Sequence, residues 1–281
     1  MSVLLALGSA LLFGSMTVAL RPAMARGDDP LLGALLTVLT ALAVALAAAI
    51  VVGRWDIAGT WPFLLAGVLG PGLSQLLFTF AVRDAGPSRT SATVGMAPLF
   101  AVLFAVVLLG EPVVAGIVAG AVLIVSGGIL LAGERGRPAH VKATGLVLAL
   151  AAALVFALRD TFVRWLSVDT GVSPALATLA TLTSGALTIL VVLLVARRPL
   201  SLRAIPAYVP AGLLFGLSYV CLFEAFYRGR LSVVSPLVAT ESLWGVGLSA
   251  VFLRRHELVG PRLAAGAALV VAGGVLIGVF R

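Results

Sequence analysis

The residues of this chain that could do chemistry are few, and they interrupt apolar sequence. Glu241 lies about nine residues into the apolar run Ser232–Leu253. A short carboxylate at that depth cannot reach headgroups, and an ionised group at mid-bilayer costs about 2.5–3.5 kcal/mol. It therefore needs a purpose or a partner. It suits a site for a substrate amine or a proton, or a structural carboxyl, either protonated or paired with an arginine of a neighbouring helix. Arg159 and Asp160 interrupt the run Ala143–Ser167 in the same way. Asp160 and Arg164 are four residues apart, the spacing of an ion pair along one helix face. Arg159 points in another direction and needs a different partner, for which a substrate carboxylate or Glu241 are candidates. Alternatively this helix ends early, and its charged side chains snorkel to the interface.

Neutral polar groups complete the candidate set. Ser74 and Gln75 occupy places equivalent to Ser218 and Tyr219 in two matching apolar runs. Unmatched hydrogen-bonding groups are expensive in lipid, so these side chains should prefer a cavity. Trp244 follows Glu241 by three residues and shares its helix face, where it walls the site or packs in the bundle. Glu224 is within a turn of Arg228 and is expected to pair with it near the interface.

The elements that must position these groups follow from composition. The chain has 281 residues, 61% hydrophobic and 11% charged, far more apolar than a soluble domain. The hydrophobic residues form blocks of about 20, the length of a helix across a ~30 Å hydrocarbon core. Ten spans result: Ser2–Leu20, Leu31–Val52, Trp61–Val82, Arg89–Leu109, Val113–Ala132, Ala143–Ser167, Pro174–Ala196, Ile205–Tyr227, Ser232–Leu253 and Pro261–Phe280. Ser2–Leu20 reads as a permanent helix rather than a signal peptide, because no basic segment precedes it and a matching helix recurs later. Gly70-Pro71-Gly72 should break or kink the third span, a break tolerable where it lines protein or a wet cavity.

Cys221 is the only cysteine, and His140 and His256 both fall in polar connectors, so neither a metal site nor a hydrolytic triad is expected. Gly-x-Gly here follows no strand and is not a phosphate loop. No cofactor and no enzymatic activity are expected. The net charge of +8 comes from arginines scattered over short connectors, a pattern of juxtamembrane lipid contact rather than nucleic-acid binding. Gly116/Gly120 and Gly274/Gly278 are small-residue pairs that permit close helix contact, within the bundle or between two protomers of a homodimer.

The chain also repeats itself across the polar connector at Gly133–Lys142. Ala119-Gly-Ala-Val-Leu-Ile-Val-Ser-Gly-Gly-Ile-Leu aligns with Ala265-Gly-Ala-Ala-Leu-Val-Val-Ala-Gly-Gly-Val-Leu, and Glu111 with Glu257. Gly72-Leu73-Ser74 aligns with Gly216-Leu217-Ser218, and Phe13 and Arg21 with Phe156 and Arg164. Five spans per copy, an odd number, orient the copies oppositely in the membrane. The expected fold is therefore an all-α integral membrane protein with ten transmembrane helices, arranged as two inverted five-helix repeats over residues 1–133 and 141–281.

Phe80-Ala81-Val82-Arg83, Pro98-Leu99, Leu109-Gly110-Glu111 and the helix carrying Gly120 and Gly127-Gly128 resemble the EamA-type branch of the drug/metabolite transporter superfamily. The second copy keeps Glu257, Gly266, Gly273 and Gly274. It departs from the pattern at Arg254-Arg255-His256-Glu257 and carries Trp244 where the first has Pro98. The resemblance implies a carrier of small metabolites or drugs in the plasma membrane. Amino-acid-like substrates, export and rocking of two bundles about a midplane site are the expectation. A flippase for a lipid-linked substrate and a multidrug efflux carrier are the alternatives. The resemblance implies cytoplasmic termini, whereas the arginine-rich odd connectors place the termini outside by the positive-inside rule.

Overall fold

The computed structural model describes residues 1–24, 29–109, 114–132, 142–168, 170–229, 231–253 and 260–280. Glu111, Glu257, His140 and the Arg254–His256 stretch lie outside these residues.

All regular elements among the described residues are helical. The first half contains α1 (Ser2–Met24), α2 (Pro30–Val52), α3 (Trp61–Gly67), α4 (Ser74–Ala85), α5 (Pro87–Val94), α6 (Ala97–Leu109) and α7 (Ala115–Ala132). The second contains α8 (Ala143–Leu166), α9 (Pro174–Val195), α10 (Ile205–Arg228), α11 (Leu231–Ala239), α12 (Glu241–Phe252) and α13 (Pro261–Phe280). Local chemistry sets several ends. Asp29 caps α2 by accepting from the Leu31 amide at 2.8 Å, and Ser173 caps α9 by accepting from the Leu176 amide at 3.3 Å. Proline begins α2, α5, α9 and α13, where its missing N–H costs nothing.

Among the described residues, seven stretches are long and apolar enough to cross a bilayer: α1, α2, Ala58–Ala85, α8, α9, α10 and α13. The fourth and ninth stretches, expected as unbroken spans Arg89–Leu109 and Ser232–Leu253, are each split. The first splits at Gly95-Met96, between α5 and α6. Pro98 falls in the first turn of α6, the one part of a helix that tolerates its ring. The other splits at Thr240, where the backbone tightens to an i→i−3 bond from the Thr240 amide to the Leu237 carbonyl at 3.2 Å while keeping right-handed helical angles. Within Ala58–Ala85 the glycine-proline signal acts as expected. Val68–Leu73 forms a wide π-turn with Gly70 non-helical at φ −147°, ψ 119°, and Gly185 of α9 makes room for the Pro71 ring.

Contacts occur in pairs related by exchanging the two halves. α1 packs on α10 as α8 packs on α4, and α7 lies along α13. Arg21 donates to the Arg83 carbonyl at 3.2 Å, and Arg164 donates to the Phe226 carbonyl at 2.6 Å; each bond spans 62 residues. Phe13 and Phe156, which align in sequence, meet edge to face with centroids 5.8 Å apart. Along α7 and α13 the small residues are used inside the chain. A Cβ on Gly120 would come within 2.7 Å of the Gly273 carbonyl oxygen, and one on Gly127 within 2.7 Å of that of Gly266. Gly116 accommodates the Phe280 ring, and Gly274 lies against Pro98. The outer faces are apolar, with Ile129, Val147, Leu187 and Val251 exposed, as a lipid-solvated surface requires.

Candidate functional site

The charged residues converge where the split helices meet. On α8, Phe156, Arg159 and Asp160 share one face by i, i+3, i+4 spacing. Ser218, Tyr219 and Leu222 share a face of α10, and Ser9 and Phe13 share one of α1. Val94, at the end of α5, and Ala97 and Pro98, opening α6, meet Val238, Ala239 and Glu241 from the other break. These residues, with Ser235, line a partly open cavity of about 40 Å³. A water needs roughly 10–15 Å³ of such space, so the cavity has room for a few waters; a metabolite requires the surrounding helices to separate.

Arg159 is 3% exposed, which places it inside the bundle rather than at an early helix end. Its Nε lies 2.8 Å from Asp160 Oδ1. The expected Asp160–Arg164 pair does not form. The long Arg159 stem folds back to its neighbouring carboxylate, and Arg164 is engaged with the Phe226 carbonyl and the Ser167 hydroxyl. The Arg159 guanidinium also lies over two rings, 4.9 Å from the Tyr219 centroid and 5.5 Å from that of Phe156. Asp160 is the more open partner, its side chain 19% exposed.

Glu241 is the first residue of α12, not the middle of a continuous helix. Thr240 keeps right-handed helical angles and its amide bonds the Leu237 carbonyl, so Glu241 follows α11 across a single tight turn. Three close approaches hold this helix start. Gly14 of α1 leaves space for the Trp244 Cβ and the Glu241 carbonyl, Gly245 for Ser91, and Gly95 for Ser242.

The eight residues singled out by sequence divide cleanly. Glu241, Arg159, Asp160, Ser218 and Tyr219 line the cavity. Ser74 and Gln75 are fully buried outside it, and Trp244, expected on the face of Glu241, instead has its Cβ against Gly14 of α1 and its side chain turned to the outer surface with 42% exposure. Glu224 pairs with Arg228 at 2.6 Å, as its spacing predicts. Ser9, Phe13, Phe156 and Ser235 are cavity residues that the sequence reading did not select. Ser9 contacts Ser218, Oγ to Oγ, at 3.0 Å, and the Ser218 hydroxyl donates to the Ser9 carbonyl at 2.9 Å. The Phe13–Phe156 alignment was the available signal, because residues that match across the repeat and face inward must approach one another near its axis.

A second concavity opens on the outer surface. Thr93, Met96, Val125, Gly128, Ile129 and the α8 residues Leu146, Val147 and Leu150 line an apolar groove of about 370 Å³. Its inner wall, at Thr93 and Met96, is the α5–α6 break whose other side faces the central cavity.

The EamA-like transporter family model matches residues 1–133 and again 143–279. A protein of known crystal structure superimposes with a TM-score of 0.70 at 22% sequence identity, covering 99% of this chain and 96% of the other. That likeness concerns the fold. A search of curated proteins finds no match. The two family matches together span nearly the whole of this multi-pass integral membrane protein, and the chain belongs to the EamA-like transporter family.

Proposed function

We propose that this protein is a secondary carrier that moves a small, amino-acid-like metabolite by alternating access, in the direction of export across the plasma membrane. The observation that carries the reading is the convergence of Arg159, Asp160 and Glu241 in one cavity lined by serine hydroxyls and aromatic rings. Fully ionised, the three groups leave one net negative charge, which a proton or a substrate ammonium balances. A zwitterion matches both signs, with its carboxylate toward Arg159 and its ammonium toward Glu241. Charged groups buried among lipid-solvated helices are expensive, which favours a functional role over a purely structural one.

In this reading the chain crosses the membrane ten times. α5–α6 and α11–α12 each make one crossing from two half-helices, and α3–α4 makes another. The halves are inverted copies that rock about the cavity, the arrangement of many secondary carriers. Breaks at the cavity let the half-helices move independently. The test is uptake of a mixed labelled amino-acid pool into proteoliposomes, against empty liposomes, with and without a pH gradient. Uptake above the empty control is expected. Its absence from vesicles that hold folded protein would sink the amino-acid assignment.

One observation favours a second reading, a flippase for a lipid-linked substrate or a carrier of amphipathic drugs. The apolar groove beside Met96 reaches from the lipid-facing surface to the α5–α6 break. An apolar tail could lie there while its polar head occupied the cavity. Competition of amino-acid uptake by a long-chain acyl derivative, but not by its short-chain analogue, separates this reading from the first.

A further inference from the structure

Ser74, Gln75 and Thr79 of α4 are each fully buried, and no protein group hydrogen-bonds the Ser74 hydroxyl, either amide atom of Gln75 or the Thr79 hydroxyl. A buried polar group without a partner costs about 1–3 kcal/mol, and here four such atoms lie within two turns of one helix. In the sequence repeat, Ser74-Gln75 aligns with Ser218-Tyr219, which face the central cavity. Their surroundings also correspond, because α4 packs on α8 as α10 packs on α1. The difference is local: Ser218 bonds Ser9, whereas the residue of α8 that aligns with Ser9 is Ala152, which offers Ser74 no side-chain partner.

Arg159 lies between the two sets. Its guanidinium covers the Tyr219 ring, and its Cγ is 3.1 Å from where a Cβ on Gly70 would stand, with Ser74 Oγ 2.9 Å from the same point. The stem of the cation thus already touches the α4 side.

We infer that Ser74, Gln75 and Thr79 form the polar wall of the substrate cavity in the oppositely facing state, the counterpart of the Ser218-Tyr219 wall in this one. The inference rests on the carrier reading. In an inverted repeat, the second state arises when each half adopts the conformation of the other. That exchange opens the α4 wall, lets substrate and water satisfy the orphaned groups, and closes the α10 wall. Arg159 remains common to both states. The substrate class follows from the two walls. A neutral amide and hydroxyls on one side, and a phenol and hydroxyl on the other, suit a ligand rich in hydrogen-bonding groups whose charges are met by Arg159, Asp160 and Glu241.

The test needs no known substrate. In a Cys221→Ser background, Ser74→Cys and Ser218→Cys are made separately and together, with Thr79→Cys as a second probe of the α4 wall. Proteoliposomes of defined orientation are treated from each side with a membrane-impermeant cationic methanethiosulfonate. The expected result is labelling of Ser218→Cys from one side and of Ser74→Cys and Thr79→Cys from the other. In the double variant, prior modification of Ser218→Cys should slow labelling of Ser74→Cys at least ~10-fold, because the wedge holds that side open. A reactive Ser218→Cys alongside inert Ser74→Cys and Thr79→Cys would overturn this inference and leave the carrier reading intact. So would labelling of both walls from the same side. A Ser218→Cys inert from both sides would remove the accessible cavity, and both readings with it.

Discussion

The two halves of this chain share a scaffold and differ in their charges. Phe13 and Phe156 meet across the interior, Arg21 and Arg164 make equivalent bonds to helix-end carbonyls, and both halves split a helix beside the cavity. At the cavity the likeness stops. The residues aligned with Arg159 and Asp160 are Met16 and Thr17, and the residue aligned with Glu241 is Gly95. The buried ionic groups of the cavity thus all come from the second half, while the first supplies a buried methionine, a threonine and a break without a side chain. Under the carrier reading proposed above, a symmetric frame supplies two equivalent conformations, and an asymmetric charge set lets a single ligand be bound in both without duplicating the expensive groups.

Substitutions that make the halves alike test this division most directly. Asp160→Thr alone copies one residue of the first half and leaves the Arg159 guanidinium buried without its carboxylate. Breaking a buried pair in this way costs about 3–5 kcal/mol, to be read as a loss of thermal stability in detergent. Arg159→Met combined with Asp160→Thr copies both residues. Replacing the whole pair by a neutral set is neutral or stabilising, so the double variant is expected to recover the stability that the single variant loses. Uptake should nevertheless fall by roughly 10- to 100-fold, the equivalent of one charge-assisted hydrogen bond to substrate. If the double variant transports normally, the second half's charges are structural and the division of labour is wrong.

Glu241→Gln keeps the shape of the site and removes one charge. Counterflow driven by substrate is expected to survive while acceleration by a pH gradient disappears. Unchanged transport with lower stability would instead assign Glu241 to packing. The smallest effects belong to the matched arginines. Arg164→Met should cost about 1 kcal/mol, because its bond is short and partly buried, and Arg21→Met less, because its longer bond is exposed. Equal losses would mean that the two ends are closer in construction than their geometry indicates.

Much of this was legible in the sequence, for identifiable reasons. Long apolar blocks report helices because the hydrocarbon core leaves the backbone no other partner, and the glycine-proline signal at Gly70-Pro71 marks a real break. The splits at Gly95-Met96 and Thr240 were hidden, since both lie in apolar stretches where hydropathy alone reads as continuous helix. Of the site, Glu241, Arg159 and Asp160 stood out because each charge costs energy in an apolar run. Their partners did not. The four-residue rule favoured Asp160–Arg164, but a long, flexible arginine stem reaches its neighbour when a distant carbonyl already holds Arg164. Ser9 and Ser235 were missed because one hydroxyl in an apolar helix commonly bonds its own backbone, and only the three-dimensional frame distinguishes a serine that faces a cavity.

The glycine seam between α7 and α13 has a consequence for how the chain associates. The Gly120–Gly273 approach becomes the Gly127–Gly266 approach when the halves are exchanged, so the seam is isologous in the sense used for twofold dimers. Each half carries, on its last helix, a surface complementary to its own copy. In the fused chain that surface is occupied internally. A half produced alone would present it to a second identical molecule, and self-association would replace the covalent link.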